Sequence, residues 1–106
     1  MWYLVLSRRV QSNEEMRDHT PAHRDWLEAQ HRAGRLLFSG PTTDGSHGIY
    51  IVLAGDLDEA KKVAGEDPYH VHGVREMNVL EWRAHRAMRL EGPTIEELEA
   101  LAKPPV

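Results

Sequence analysis

Four short apolar segments are separated by two long intervals and one short one. They are "WYLVLS" (2–7), "RLLFSGP" (35–41), "IYIVLA" (49–54) and "VREMNVLEW" (74–82). Each is brief, rich in β-branched or aromatic residues and bounded by charge, glycine or proline, which is how a strand reads. Between the second and third lies only "TTDGSHG", enough for a hairpin loop and too little for a crossover. The two long intervals must each carry a helix. This order, β-α-β-β-α-β, leaves few folds open.

The helix starts are marked. "SNEE" at 12–15 pairs Ser12 with Glu15 as a capping box, and "DLDE" at 56–59 does the same with Asp56 and Glu59. "HTPAH" at 19–23 interrupts the first helix, because proline is tolerated at a first helical position after a threonine cap. A restart at Thr20 is therefore expected, with His23, Trp26, Leu27, Gln30 and Ala33 at helical spacing and Gly34 closing the segment. Behind Asp56, the residues Leu57, Ala60, Val63 and Ala64 face inward, and Asp67-Pro68 stops the helix. "GPTIEELEALA" (92–102) predicts a capped tail helix. The domain spans 1–90, with an acidic helical extension at 91–106.

The expected class is α+β: a ferredoxin-like split β-α-β with four antiparallel strands and two helices on one face, plus the tail helix. Both alternation sets of the first strand are apolar, Trp2, Leu4 and Leu6 against Tyr3 and Val5. The uncovered sheet face is then expected to pack on a second copy, giving a homodimer of the dimeric α/β barrel type. Charge excludes more than it suggests. Residues 1–90 hold 12 Lys/Arg against 13 Asp/Glu, and the remaining net negative charge sits in the tail. No basic excess marks a nucleic-acid surface. No apolar run reaches membrane-spanning length, and the apolar start ends in Arg8-Arg9, the reverse of a secretory signal. With 0 cysteines, disulfides and thiolate chemistry are out, and a cytoplasmic location is expected.

"TPAHRDWL", "GRLLFSGP", "GIYIVLAGDLDEAKKVAGEDPY" and "NVLEW" together resemble the YCII-related family of small dimeric α/β proteins, over residues 2–83. The family's order and spacing are met by His23, by Gly40-Pro41 and by Asp67-Pro68. The resemblance implies a histidine–aspartate catalytic dyad, here His23 with Asp67. One branch of the family removes chloride from a chlorinated hydroxyhydroquinone in aromatic catabolism, a lyase reaction. His70 and His72 lie outside the usual motif, and so does the acidic tail.

On physical grounds, a histidine in the first turn of a restarted helix would face the positive end of the dipole and stay neutral, a fit state for a general base. Asp67, just past a helix C-terminus, would need a cationic or donor partner, and a histidine supplies one. The plain alternatives are a core-edge histidine bonded to backbone and an Asp-Pro turn bonded to itself. The remaining substrate-binding candidates are Trp26, Ser39, Gly40, Pro41, Tyr69 and His72. His70 and His72 alternate, so on an extended segment with His19 or His23 they would form a metal site. Without cysteine or a placed carboxylate, a metal-free site is the expectation. No phosphate-cradling glycine loop exists, so no cofactor is expected. Arg8, Arg9 and Arg75 are candidates to hold an anionic group, whereas His31, His47 and His85 read as solvent-facing. The chemistry fits a cofactor-free enzyme that moves a proton on a small cyclic or aromatic-derived metabolite, by elimination, isomerisation or dehydrochlorination. The alternatives are a non-catalytic ligand-binding or accessory protein and, by fold analogy, a cofactor-independent oxygenase.

Overall fold

A computed structural model describes residues 1–83 and Ala100; the expected tail helix and His85 lie outside the described residues. The chain runs β1 (Trp2–Arg9), α1 (Asn13–Arg32), β2 (Leu36–Pro41), β3 (His47–Leu53), α2 (Leu57–Gly65), α3 (Pro68–Val71) and β4 (Arg75–Trp82). The sheet order is β2-β3-β1-β4, with every neighbouring pair antiparallel. That is the split β-α-β arrangement expected from the segment order, with one additional short helix.

The strands sort their side chains by period two. Tyr3, Val5 and Ser7 of β1 pair with Val52, Tyr50 and Gly48 of β3, and this set faces the helices. α2 meets it with Ala60, Val63 and Ala64, all buried, and these small side chains let the helix approach closely. α1 has no buried residue and rests on the core through half-buried Trp26 and Leu27. Leu4, Leu6, Ile49, Ile51, Leu80 and Trp82 occupy the opposite sheet face, where Leu80 and Trp82 are each 43% exposed.

Three local features depart from expectation. α1 does not restart at Thr20; it is a single 20-residue helix with Pro21 inside it. Proline removes one backbone donor, at a cost of about 3 kcal/mol in an isolated helix. The carbonyl that loses its donor is that of Arg17, the Thr20 hydroxyl adds a second bond to the neighbouring Met16 carbonyl oxygen at 3.1 Å, and packing of α1 on α3 holds both halves in line. Gly34, at φ 75°, then turns the chain out of the helix, a conformation open to glycine at little cost. At the second corner, Asp67 caps α3, so residues 68–71 are wound rather than extended. In β2 the register shifts between Leu36, opposite Val52, and Ser39, opposite Tyr50. One extra residue is accommodated there, and it turns Ser39 to the helix side of the sheet.

Candidate functional site

α1, α3 and the ends of β1, β2, β3 and β4 enclose a cavity of about 540 Å³. Its wall includes His23, Ser39, Gly40, Pro41 and Tyr69, five of the residues singled out by sequence.

His23 and Asp67, 44 positions apart, meet: the Nδ1 to Oδ1 distance is 2.7 Å. The His23 side chain is 16% exposed and Asp67 is fully buried. The corner itself explains why a carboxylate is held here. As N-cap of α3, Asp67 accepts the backbone N–H of Tyr69 at 3.0 Å, a donor that the helix cannot satisfy internally. Its other oxygen accepts the Tyr50 hydroxyl at 3.4 Å. Burial first, and then the charge of Asp67, push the Tyr50 phenol above its usual range, so it stays a donor. Three donors thus converge on one carboxylate. Since the carboxylate is an acceptor, Nδ1 is the donor, and the neutral tautomer this selects is the one with its lone pair on Nε2.

Tyr69 fixes the imidazole from the side. Its ring stacks on His23 at 3.9 Å between centroids, and its hydroxyl shares a 2.7 Å hydrogen bond with Thr20. Thr20 and His23 project from one face of α1, so the same helix that carries the imidazole also ties down the ring beneath it.

Several expectations need correction. His23 sits in the middle of α1, not in a first turn, so the helix dipole does not act on its imidazole as expected; the Asp67 carboxylate sets the orientation of the ring instead. Trp26 lies outside the cavity wall and meets Tyr50 edge-on at 5.8 Å within the core. His72 is also outside the wall: because α3 is wound, His70 and His72 do not form an extended pair, and His72 stacks on His19 at 4.0 Å. Among the described residues, no group of three or more histidines or acids is placed to hold a metal ion. Arg8 is paired with Glu76 and Arg9 with Asn13 at the surface. His31, exposed as expected, nevertheless bonds the Ser39 hydroxyl at 2.8 Å.

The sequence reading missed Thr20, Tyr50 and the burial of Arg75. The signal for two of them was present: Tyr50 alternates in phase with Val52, and Arg75 with Met77 and Val79, both sets facing the helices. Thr20 carried no comparable signal, because its partner lies 49 positions away.

A family model for the YCII-related domain matches residues 1–83. The uncharacterized protein YjpA of Bacillus subtilis (strain 168) is 30% identical over 81 residues, covering 76% of this chain and 93% of that one. Among solved structures, the fold is similar to that of 5-chloro-2-hydroxyhydroquinone dehydrochlorinase (TftG) from Burkholderia phenoliruptrix AC1100, in complex with 2,5-dihydroxybenzoquinone. The TM-score is 0.68 at 22% identity, covering 80% of this chain and 96% of that chain.

Proposed function

The chain belongs to the YCII-related family, and from that premise we propose that it is a cofactor-free enzyme whose His23–Asp67 dyad moves a proton on a small cyclic metabolite. The observation that carries this reading is the buried carboxylate, accepting from Nδ1 of an imidazole that borders the cavity. In this arrangement Nε2 of His23 takes a proton from a C–H or O–H group of the substrate. The electron pair released forms a new C=C or C=O bond and either expels a leaving group as its anion or returns to a proton elsewhere on the ring. The first outcome is elimination, dehydrochlorination included, and the second is isomerisation. Asp67 orients the ring and stabilises the imidazolium formed, and Tyr69 holds the plane of the base. Asp67 and Tyr69 are positioning residues. Ser39, Gly40 and Pro41 also line the cavity and offer a planar ring a surface to pack on. That a fold-mate acts on a chlorinated hydroxyhydroquinone makes this compound the first to try.

The test is release of chloride from 5-chloro-2-hydroxyhydroquinone, together with solvent-deuterium incorporation into a panel of enolisable cyclic ketones and cyclic keto acids. Wild-type protein is expected to turn over at least one of them and His23→Ala none. Turnover that survives His23→Ala unchanged would overturn the assignment. A protein that binds these compounds stoichiometrically without chemistry would be a ligand-binding or accessory protein instead.

The assembly proposed is a homodimer joined through the open sheet face. All three described helices pack on the other face, leaving Leu80 and Trp82 each 43% exposed beside Leu4 and Ile51. Soluble domains rarely leave a contiguous patch of this kind to water. Sedimentation is expected to give about twice the 12.1 kDa chain mass, and Leu80→Glu to reduce it to one chain. A wild-type protein that sediments as a single chain at micromolar concentration would rule the dimer out.

A further inference from the structure

We propose that the cavity seats the carboxylate of a small cyclic acid against Arg75 and Ser7, so that the substrate of this protein is an anion. The inference deepens the reading of the cavity as a substrate site and rests on it. Every charged side chain that lines the wall besides the titratable His23 is an arginine: Arg17, Arg24 and Arg75. Among the described residues no aspartate or glutamate shares the wall, although the whole chain carries a net charge of −4. Asp67 lies behind His23 with its oxygens already engaged.

Arg17 and Arg24 are exposed on α1, as arginines commonly are. Arg75 is different: it opens β4, is only 7% exposed and lies 5.3 Å over the Tyr69 ring. Its Nη1 donates to the Ser7 carbonyl oxygen at 2.6 Å, while Nε is buried with no acceptor among the described residues. No carboxylate pairs with it among the described residues. A guanidinium taken out of water with no carboxylate in hydrogen-bond reach is a costly arrangement, and one that an anionic ligand relieves. Burial, the largest influence on it, lowers its proton affinity, and the neighbouring Tyr69 and Asp67 oppose that.

The groups beside it fit the same guest. The Ser7 hydroxyl is also buried with no partner among the described residues. Gly48 stands opposite both. A side chain there would begin 3.6 Å from Nη1 of Arg75 and 4.0 Å from the Ser7 hydroxyl oxygen, so glycine leaves this part of the wall bare. A staple between β1 and β4 requires only the bond from Nη1 to the Ser7 carbonyl. It leaves the remaining guanidinium donors and the hydroxyl unexplained. A carboxylate offers two oxygens with lone pairs to those donors and suits the planar guanidinium fork. A cavity of about 540 Å³ holds one ring bearing such a group. Tyr69 touches both Arg75 and His23, which places the anchored group and the proton-accepting nitrogen along one aromatic ring.

The experiment is an NMR titration of the full chain with benzoate, with its neutral isostere benzamide and with inorganic phosphate. Benzoate is expected to bind at least about tenfold more tightly than either, a difference of ~1.4 kcal/mol, and to shift the Arg75 Nε–H resonance. Arg75→Gln should level benzoate with benzamide, and Gly48→Val, which crowds the guanidinium without removing it, should do the same. The double change Arg17→Gln/Arg24→Gln should keep the preference. Equal binding of benzoate and benzamide, equal binding of phosphate, or a preference that survives both Gly48→Val and Arg75→Gln would overturn the proposal. If Arg75→Gln does not fold, the Arg75 resonance in the wild type and Gly48→Val decide. Repeating the titration in His23→Ala separates the two readings. A preference retained there while turnover is lost supports both. Turnover without any preference in the wild type removes the anion site alone.

Discussion

Of the three histidines of α1, two lie one turn apart, and both stack on a ring from the corner that follows α2. His23 stacks on Tyr69 at 3.9 Å and His19 on His72 at 4.0 Å. Seen only as ring contacts, the two are equivalent. They differ in what stands behind them. His23 donates to a carboxylate that is fully buried and held by three donors, whereas His19 and His72 have no hydrogen-bonded acid among the described residues. A stack fixes only a plane, whereas a buried carboxylate also fixes the tautomer and leaves one basic nitrogen for the cavity. Burial of the acid, more than the presence of histidine, separates a candidate base from a surface contact.

The largest expected effect is on His23 itself. His23→Ala should lower turnover of any substrate by about 10²–10⁴-fold while circular dichroism reports an intact fold, since the imidazole is not part of the core. Stopped-flow or steady-state rates check this.

Asp67→Asn should cost less activity than His23→Ala, because the base remains and only its orientation and tautomer are lost. Its cost to stability should be larger than that of His23→Ala. An amide in place of the carboxylate cannot accept all three donors, and a buried donor left unpaired costs about 1–3 kcal/mol. Urea unfolding measures this. Equal activity losses for the two variants would mean that Asp67 does more than orient.

Tyr50→Phe sharpens the same contrast through pH. The Tyr50 phenol is raised above its ordinary value of 10.0 by burial and by Asp67. The folded protein therefore holds this proton more tightly than the unfolded chain. The contribution is complete below pH 10 and is lost as pH climbs above it. Wild-type stability should fall more steeply than that of Tyr50→Phe above this point, with a difference of about 1 kcal/mol at neutral pH. Parallel alkaline denaturation curves for the two proteins would contradict it.

The smallest effects belong to the other pair. His19→Ala and His72→Ala should each change stability by no more than about 0.5 kcal/mol and leave turnover where it was. A drop in turnover for His72→Ala would return His72 to the site from which its position outside the cavity wall removes it.

How much of this was legible in advance follows from the range of the interactions. Capping boxes, period-two alternation and a hairpin-length loop act over a few residues. Ser12 and Asp56 therefore announce helix starts and the alternation announces strands, but with both faces of β1 apolar it does not say which face the helices cover. The pairing of His23 with Asp67 came from family resemblance, because nothing local joins residues 44 positions apart.

Tertiary structure decided the rest. Pro21 reads locally as a helix start, but packing of α1 on α3 outweighs that preference and keeps the helix whole. His70 and His72 would face one side if their segment were extended, yet the Asp67 cap winds it, and that separates them. A single additional residue in β2 reverses the face on which Ser39 lies, and only the pairing with β3 shows where it is inserted. Arg75 has the composition of a surface residue and the phase of a buried one; the helices packed over the sheet settled it in favour of phase. Local chemistry specifies which face a residue takes, and only the assembled layers specify what that face meets.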